Sequence, residues 1–132
     1  MLAQTDAAQL WDERVAAERA QSVRVNEGTE HTDAWQGNTA RFRPPPADAP
    51  EDPMVTAVAG HLSGDSTLID VGAGGGRLAV PLSACCANLM AVEPSEAMNV
   101  VLTSSIEERH IENMEVVAAT WEEAAVDRCD VV

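Results

Sequence analysis

Hydrophobic positions fall into two patterns that change near residue 53. From Thr67 onward, short apolar runs alternate with stretches of helical rhythm. The runs predict strands over 68–73, 88–93 and 114–119, and a fourth over 129–132, where Cys129-Asp130-Val131-Val132 closes the chain. Between them the spacing predicts helices over 77–86 and 95–109 and a short helical turn over 121–126. Strands and helices joined by short connections imply right-handed crossovers and a parallel sheet. Pro81 lies inside the first of these helices, near enough to its start that the missing N–H costs little. Ser95 reads as the N-cap of the next helix, with Glu96 well placed in its first turn.

The first half has another character. Ala7 to Val25 carries Leu10, Trp11, Arg14, Val15, Ala17 and Glu18 in a roughly helical rhythm and predicts an amphipathic helix. Residues 26–38 are polar and aperiodic. Arg41-Phe42-Arg43-Pro44-Pro45-Pro46, continuing to Pro53, predicts an extended proline-rich connector and a boundary. Met54 to Leu62 then predicts a helix packed on the sheet, with Glu51 or Asp52 near its start and Gly64 past its end. The expected organisation is an N-terminal helical or cap segment over 1–53 and a sheet domain over 54–132.

Chemistry concentrates at Leu68-Ile69-Asp70-Val71-Gly72-Ala73-Gly74-Gly75-Gly76-Arg77-Leu78, a strand running into a glycine-rich turn and a helix. Glycine tolerates positive φ and lets a ligand approach the backbone. A dinucleotide fingerprint, G-x-G-x-x-G, needs a third glycine or alanine to pack helix on sheet. That place falls on Arg77. The pattern present is D-x-G-x-G-x-G, and a carboxylate at Asp70 repels a pyrophosphate. It suits a ligand with no phosphate and a cationic end. Glu93, in Ala91-Val92-Glu93-Pro94-Ser95, stands about 20 residues beyond the loop's start, where such folds place an acid on ribose hydroxyls.

LIDVGAGGGRLAVPL closely resembles motif I of the class I S-adenosylmethionine (SAM)-dependent methyltransferases. The resemblance runs from Thr67 to Val132. It implies a Rossmann-like, doubly wound α/β fold of three α/β/α layers, incomplete at its first four strands and preceded by N-terminal helices. It implies the sheet order 3-2-1-4, with the fourth strand an apolar edge that invites self-association. It implies SAM as cofactor, held by Asp70, Gly72, Ala73, Gly74, Gly76, Glu93, Pro94, Thr120 and Trp121. Asp70 would organise the loop and meet the ammonium, Glu93 would hold the ribose, and Thr120 and Trp121 would border the adenine. The Asp or Asn that often reads the adenine amino group falls on Ala119, a departure from the pattern. Arg77 is a candidate for the cofactor carboxylate, with solvent exposure the competing reading. The Trp35–Phe42 stretch is a candidate lid. No residue earns a catalytic label. Two other readings stay open: an NAD(P)-binding Rossmann domain, and a truncated, non-catalytic SAM-binding fragment.

Charge narrows the partners. The 132 residues hold 22 acidic and 8 basic residues, all eight of them Arg, for a net charge of −14. Such a balance weighs against nucleic acid or an anionic membrane as partner and favours a small-molecule acceptor. Cys85, Cys86 and Cys129 show neither metal spacing nor a disulfide framework, and read as small thiols of a cytoplasmic protein. His31, His61 and His110 are scattered, and the pairs Glu107-Glu108 and Glu122-Glu123 read as solvated helix faces. No metal site is expected.

Overall fold

The structure, a computed structural model, describes residues 7–25, 33 and 35–132. His31 and most of the polar stretch 26–38 therefore lie outside the described residues. By its contacts the chain parts between Thr32 and Asp33 into two units. The expected boundary at residue 53 is not where the contacts divide: residues 33–53 group with the sheet. The first unit contributes helix α1 (Ala7–Val25), along which Gln9 Nε2 donates to Glu13 Oε1 at 3.1 Å.

In the second unit, helix α2 spans Pro53–Ala59. Asp52 caps it by accepting from Met54 N at 2.9 Å, and Pro53 occupies the first turn, where its missing N–H has no partner to lose. Strands β1 (Thr67–Val71), β2 (Asn88–Val92) and β3 (Met114–Val117) form a parallel sheet in the order β1-β2-β3. The register pairs Leu68 with Leu89 and Leu89 with Met114; two residues on, Asp70 pairs with Ala91 and Ala91 with Val116. Because side chains alternate along a strand, these residues share one face. That face carries the core, where Leu68, Leu89 and Ala91 pack with Val55, Ala79, Val80, Leu82 and Leu102.

Three expectations are corrected. The helix read over 77–86 is reduced to α3 (Ala79–Leu82) and a 3₁₀ turn, Ser83–Cys85. Arg77 and Leu78 remain in the turn out of the glycine loop, and Asn113 Nδ2 bonds the carbonyls of Ser83 (2.8 Å) and Cys86 (3.1 Å) where the helical winding stops. The helical turn over 121–126 contracts to a turn over 121–123. The fourth strand is a single parallel bridge, Leu68 to Val131, on the edge of β1 away from β2. Asp130 anchors it by accepting from Thr67 N at 2.8 Å and Thr67 Oγ1 at 3.1 Å. Among the described residues the sheet thus has three strands and a bridge on the side expected for a fourth.

Helix α4 (Glu96–Glu108) begins at Ser95, whose Oγ accepts from Met98 N at 3.1 Å. Its end is a Schellman closure: Ile111 N bonds Ile106 O at 3.0 Å and His110 N bonds Glu107 O at 3.2 Å. His110 occupies the left-handed position at φ 53, where glycine is the usual residue. His110→Gly should therefore stabilise the protein by about 1 kcal/mol, measured by chemical denaturation.

The loop glycines answer to different neighbours. Gly72 has φ 74 and open space where a Cβ would stand. Gly76 has φ 96, and a Cβ there would sit 2.7 Å from Leu102 Cδ1 and 2.8 Å from Val80 Cγ2. Gly72→Ala should cost about 1–2 kcal/mol from backbone strain alone, and Gly76→Ala roughly 2–5 kcal/mol from strain plus overpacking. Equal losses in denaturant titrations would contradict this division.

Candidate functional site

The carboxyl ends of β1 and β2 meet at the glycine loop. Gly72 N and Ala73 N both donate to Val92 O, at 2.8 and 3.1 Å, which ties the loop to the end of β2. Gly76 N bonds Ala73 O at 3.1 Å. Gly74 N donates to Glu93 Oε2 at 2.8 Å, and Ser95 N donates to the other oxygen, Oε1, at 2.8 Å. Glu93 is 6% exposed. Its carboxylate is thus a buried clamp joining the glycine loop to the start of α4. Two amides use only part of its accepting capacity of about four lone pairs, so it retains places for ligand hydroxyls.

These bonds also say what the loop is not. A phosphate cradle presents free backbone N–H groups to its anion. Here the amides of Gly72, Ala73, Gly74 and Gly76 are all engaged within the chain.

Asp70 lies at the end of β1, directly across the register from Ala91 and on the helix-bearing face. Burial, with Glu93's charge as the second cause, pushes its carboxyl above the ordinary carboxylate range. No hydrogen bond reaches the Asp70 carboxylate among the described residues, so the role of organising the loop's amides falls to Glu93. Asp70 instead lines a cavity of about 270 Å³ with Val58, His61, Leu78, Leu82 and Val131. Another cavity, of about 350 Å³, opens at the opposite ends of the strands, beside Thr67, Asn88 and Glu112. Open α/β sheets bind ligands at the carboxyl ends of their strands, and this cavity lies at the other end.

The remaining candidates are placed as follows. Pro94 is exposed between Glu93 and the buried Ser95. Beyond β3, Ala119 N bonds Val117 O at 3.0 Å, and the chain turns at Thr120, whose Oγ1 donates to Glu123 Oε2 at 3.1 Å. Trp121 is 46% exposed on that turn. Glu93 N bonds Val117 O at 3.0 Å, so the β3 exit and the Glu93 clamp are neighbours. Arg77 pairs with Asp52 across 3.3 Å and is more than half exposed, a surface role rather than a ligand contact. Among the described residues no cluster of three His, Cys, Asp or Glu side chains could hold a metal ion. No described helix is long and apolar enough to cross a membrane.

Two site residues escaped the sequence reading in their actual roles. Asp33 Oδ2 accepts from Ser95 Oγ at 2.7 Å and from Ala97 N at 2.9 Å, and its Oδ1 accepts from Trp35 N at 3.0 Å. The backbone of Phe42 lies against Gly75, where any Cβ would collide with its carbonyl, and the Phe42 ring meets Trp35 edge-on at 5.2 Å. The local Asp33–Trp35 turn is a readable signal; the partners on α4, more than 60 residues away, are not.

No family model matches the chain, and no curated protein matches it. Solved structures do. It is similar to an rRNA methylase from Streptococcus thermophilus, at 19% identity and a TM-score of 0.51 over 57% of this chain and 47% of that one. A precorrin-6y C5,15-methyltransferase from Geobacter metallireducens matches at 16% identity and 0.52, over 64% and 47%. A dimethyladenosine transferase from Plasmodium falciparum matches at 13% and 0.54, over 60% and 30%. The chain spans less than half the length of each. What they share with it is the fold, that of the class I SAM-dependent methyltransferases.

The two unusual carboxyls respond to pH in opposite senses. Asp33 is held below its ordinary value of 3.8, first by the Ala97 amide, then by the Trp35 amide and the Ser95 hydroxyl. Its contribution to stability is present above pH 3.8 and disappears as pH falls through its lowered folded value. Asp70 is raised, so its ionisation opposes folding: the cost grows as pH rises from 3.8 to the folded value and persists above it. Asp70→Asn should therefore raise the denaturation midpoint at pH 7 and leave it nearly unchanged at pH 3. A lower midpoint at pH 7 would refute the assignment.

Proposed function

We propose that this chain binds S-adenosylmethionine at the glycine loop and supplies the cofactor-binding part of a methyltransferase. The observation that carries the reading is the pair of carboxyls at one loop: Asp70 and Glu93 stand close enough for Glu93's charge to raise Asp70. Two acids beside a loop with four amides engaged within the chain repel a pyrophosphate. They favour a ligand that offers a cation and a diol. Class I methyltransferases use this fold for such a ligand. Glu93 would accept from the ribose hydroxyls, Asp70 would face the ammonium, and Gly72 leaves the backbone open to close approach. Ala73, Gly74 and Gly76 shape the loop around it. Pro94, Thr120 and Trp121 border the adenine side, with the half-exposed Trp121 available for stacking.

Methyl transfer from a sulfonium is a direct displacement that depends chiefly on aligning nucleophile and leaving group. The chain's part in it is to hold the sulfonium in a fixed place. The similar solved structures are named for acceptors as unlike as rRNA and precorrin. The charge of −14 supports a small-molecule acceptor over a polyanion.

A thermal melt of the chain with S-adenosylhomocysteine, or with NAD at equal concentration, tests the reading. At about a hundred times its Kd, a ligand of the folded state adds about 2.7 kcal/mol, a rise on the order of 10 °C for a domain of this size. S-Adenosylhomocysteine should give that rise and NAD none. Asp70→Asn should shrink the rise even though it stabilises the free protein. A cooperative melt unmoved by S-adenosylhomocysteine would sink the proposal.

A further inference from the structure

Glu93 does not stand alone. One of its oxygens is held by Ser95 N, while Ser95 Oγ donates to Asp33 Oδ2 at 2.7 Å and accepts from Met98 N at 3.1 Å. The same Asp33 oxygen accepts from Ala97 N at 2.9 Å. A hydroxyl at a helix N-cap needs only its lone pair for capping, and its hydrogen is free to rotate. Here Asp33 fixes that hydrogen and also takes the next amide of the first turn. The stretch of α4 that grips Glu93 is therefore held from two sides, by its own cap and by a carboxylate 62 residues earlier in the chain.

Asp33 is itself anchored. Its other oxygen accepts from Trp35 N, Trp35 meets Phe42 edge-on at 5.2 Å, and the Phe42 backbone presses on Gly75. The segment from Asp33 to Phe42 thus touches the glycine loop at one end and the Glu93 clamp, through Ser95, at the other. Glu93 in turn holds Gly74 N, which closes the circuit at the loop.

From this geometry we infer that Asp33 is a positioning residue for ligand recognition: through Ser95 it holds the Glu93 carboxylate in the orientation that reads a ribose diol. The inference rests on the proposed cofactor site. Asp33 touches no ligand; it acts on the two carboxylate lone pairs that remain after Gly74 and Ser95 are served. Removing it leaves the α4 cap on Met98 in place but frees the Ser95 hydroxyl and the Ala97 amide, and the carboxylate then samples orientations that miss the diol.

The test is calorimetric binding to the full chain of two probes, S-adenosylhomocysteine and its 2′,3′-dideoxy analogue. The wild type should prefer the hydroxylated probe. Asp33→Ala should lose roughly tenfold in affinity for S-adenosylhomocysteine, the worth of one hydrogen bond to a charged group, with affinity for the dideoxy probe unchanged. Asp33→Asn keeps an acceptor oxygen and should retain the preference. Should Asp33→Ala fail to melt cooperatively, Asp33→Glu serves instead: it keeps the charge at α4, displaces the carboxylate, and should lose the preference. Equal losses for both probes, or a preference intact in Asp33→Ala or Asp33→Glu, would make Asp33 a helix cap only and overturn the inference while leaving the cofactor site standing. A wild type that binds neither probe would overturn both.

Discussion

A buried carboxylate with two backbone amides on it organises this domain. Glu93 leaves the end of β2 almost fully shielded from water, a costly place for a charge without partners. The amides of Gly74 and Ser95 provide the partners, each at 2.8 Å. One side chain thus joins the glycine loop to the start of α4, beside the amides of Gly72 and Ala73 that tie the loop to β2.

With Glu93 in place, the run of glycines resolves into separate tasks. Gly76 lets α3 and α4 close on each other through Val80 and Leu102, Gly75 accommodates the backbone of Phe42, and only Gly72 opens onto free space. Two of the four loop glycines, Gly75 and Gly76, thus serve packing of protein against protein. The amides of Gly72, Ala73, Gly74 and Gly76, too, are engaged within the chain. What stands beside the loop at the carboxyl ends of the strands is the pair of largely buried acids, Asp70 and Glu93, so the charge at the site comes from side chains.

Much of the fold was legible because its signals are local. Apolar runs placed β1, β2 and β3 to within a residue or two, and Ser95 and Asp52 marked helix starts through caps that lie next to the turns they satisfy. The acidic residue beyond the second strand was legible for the same reason, as was the D-x-G-x-G-x-G pattern. The helix over 77–86 was overread because its apolar spacing says nothing of Asn113, which meets the carbonyls of Ser83 and Cys86 from across the fold. The run at 129–132 has strand composition, yet its pairing with β1 stops at one bridge.

By itself, then, the sequence determined the alternation of parallel strands and helices, the loop that joins the first pair, and which two acids accompany it. Periodicity and capping act between residues a few positions apart, and such relations survive in a string of letters. Only the tertiary structure decided that Glu93, not Asp70, holds the loop, that Arg77 turns to Asp52, and that Asp33 reaches Ser95. Each of these depends on which groups the packed chain brings within hydrogen-bond distance. Several acids compete for the same few amides, and the competition is settled by burial and geometry once the sheet has formed.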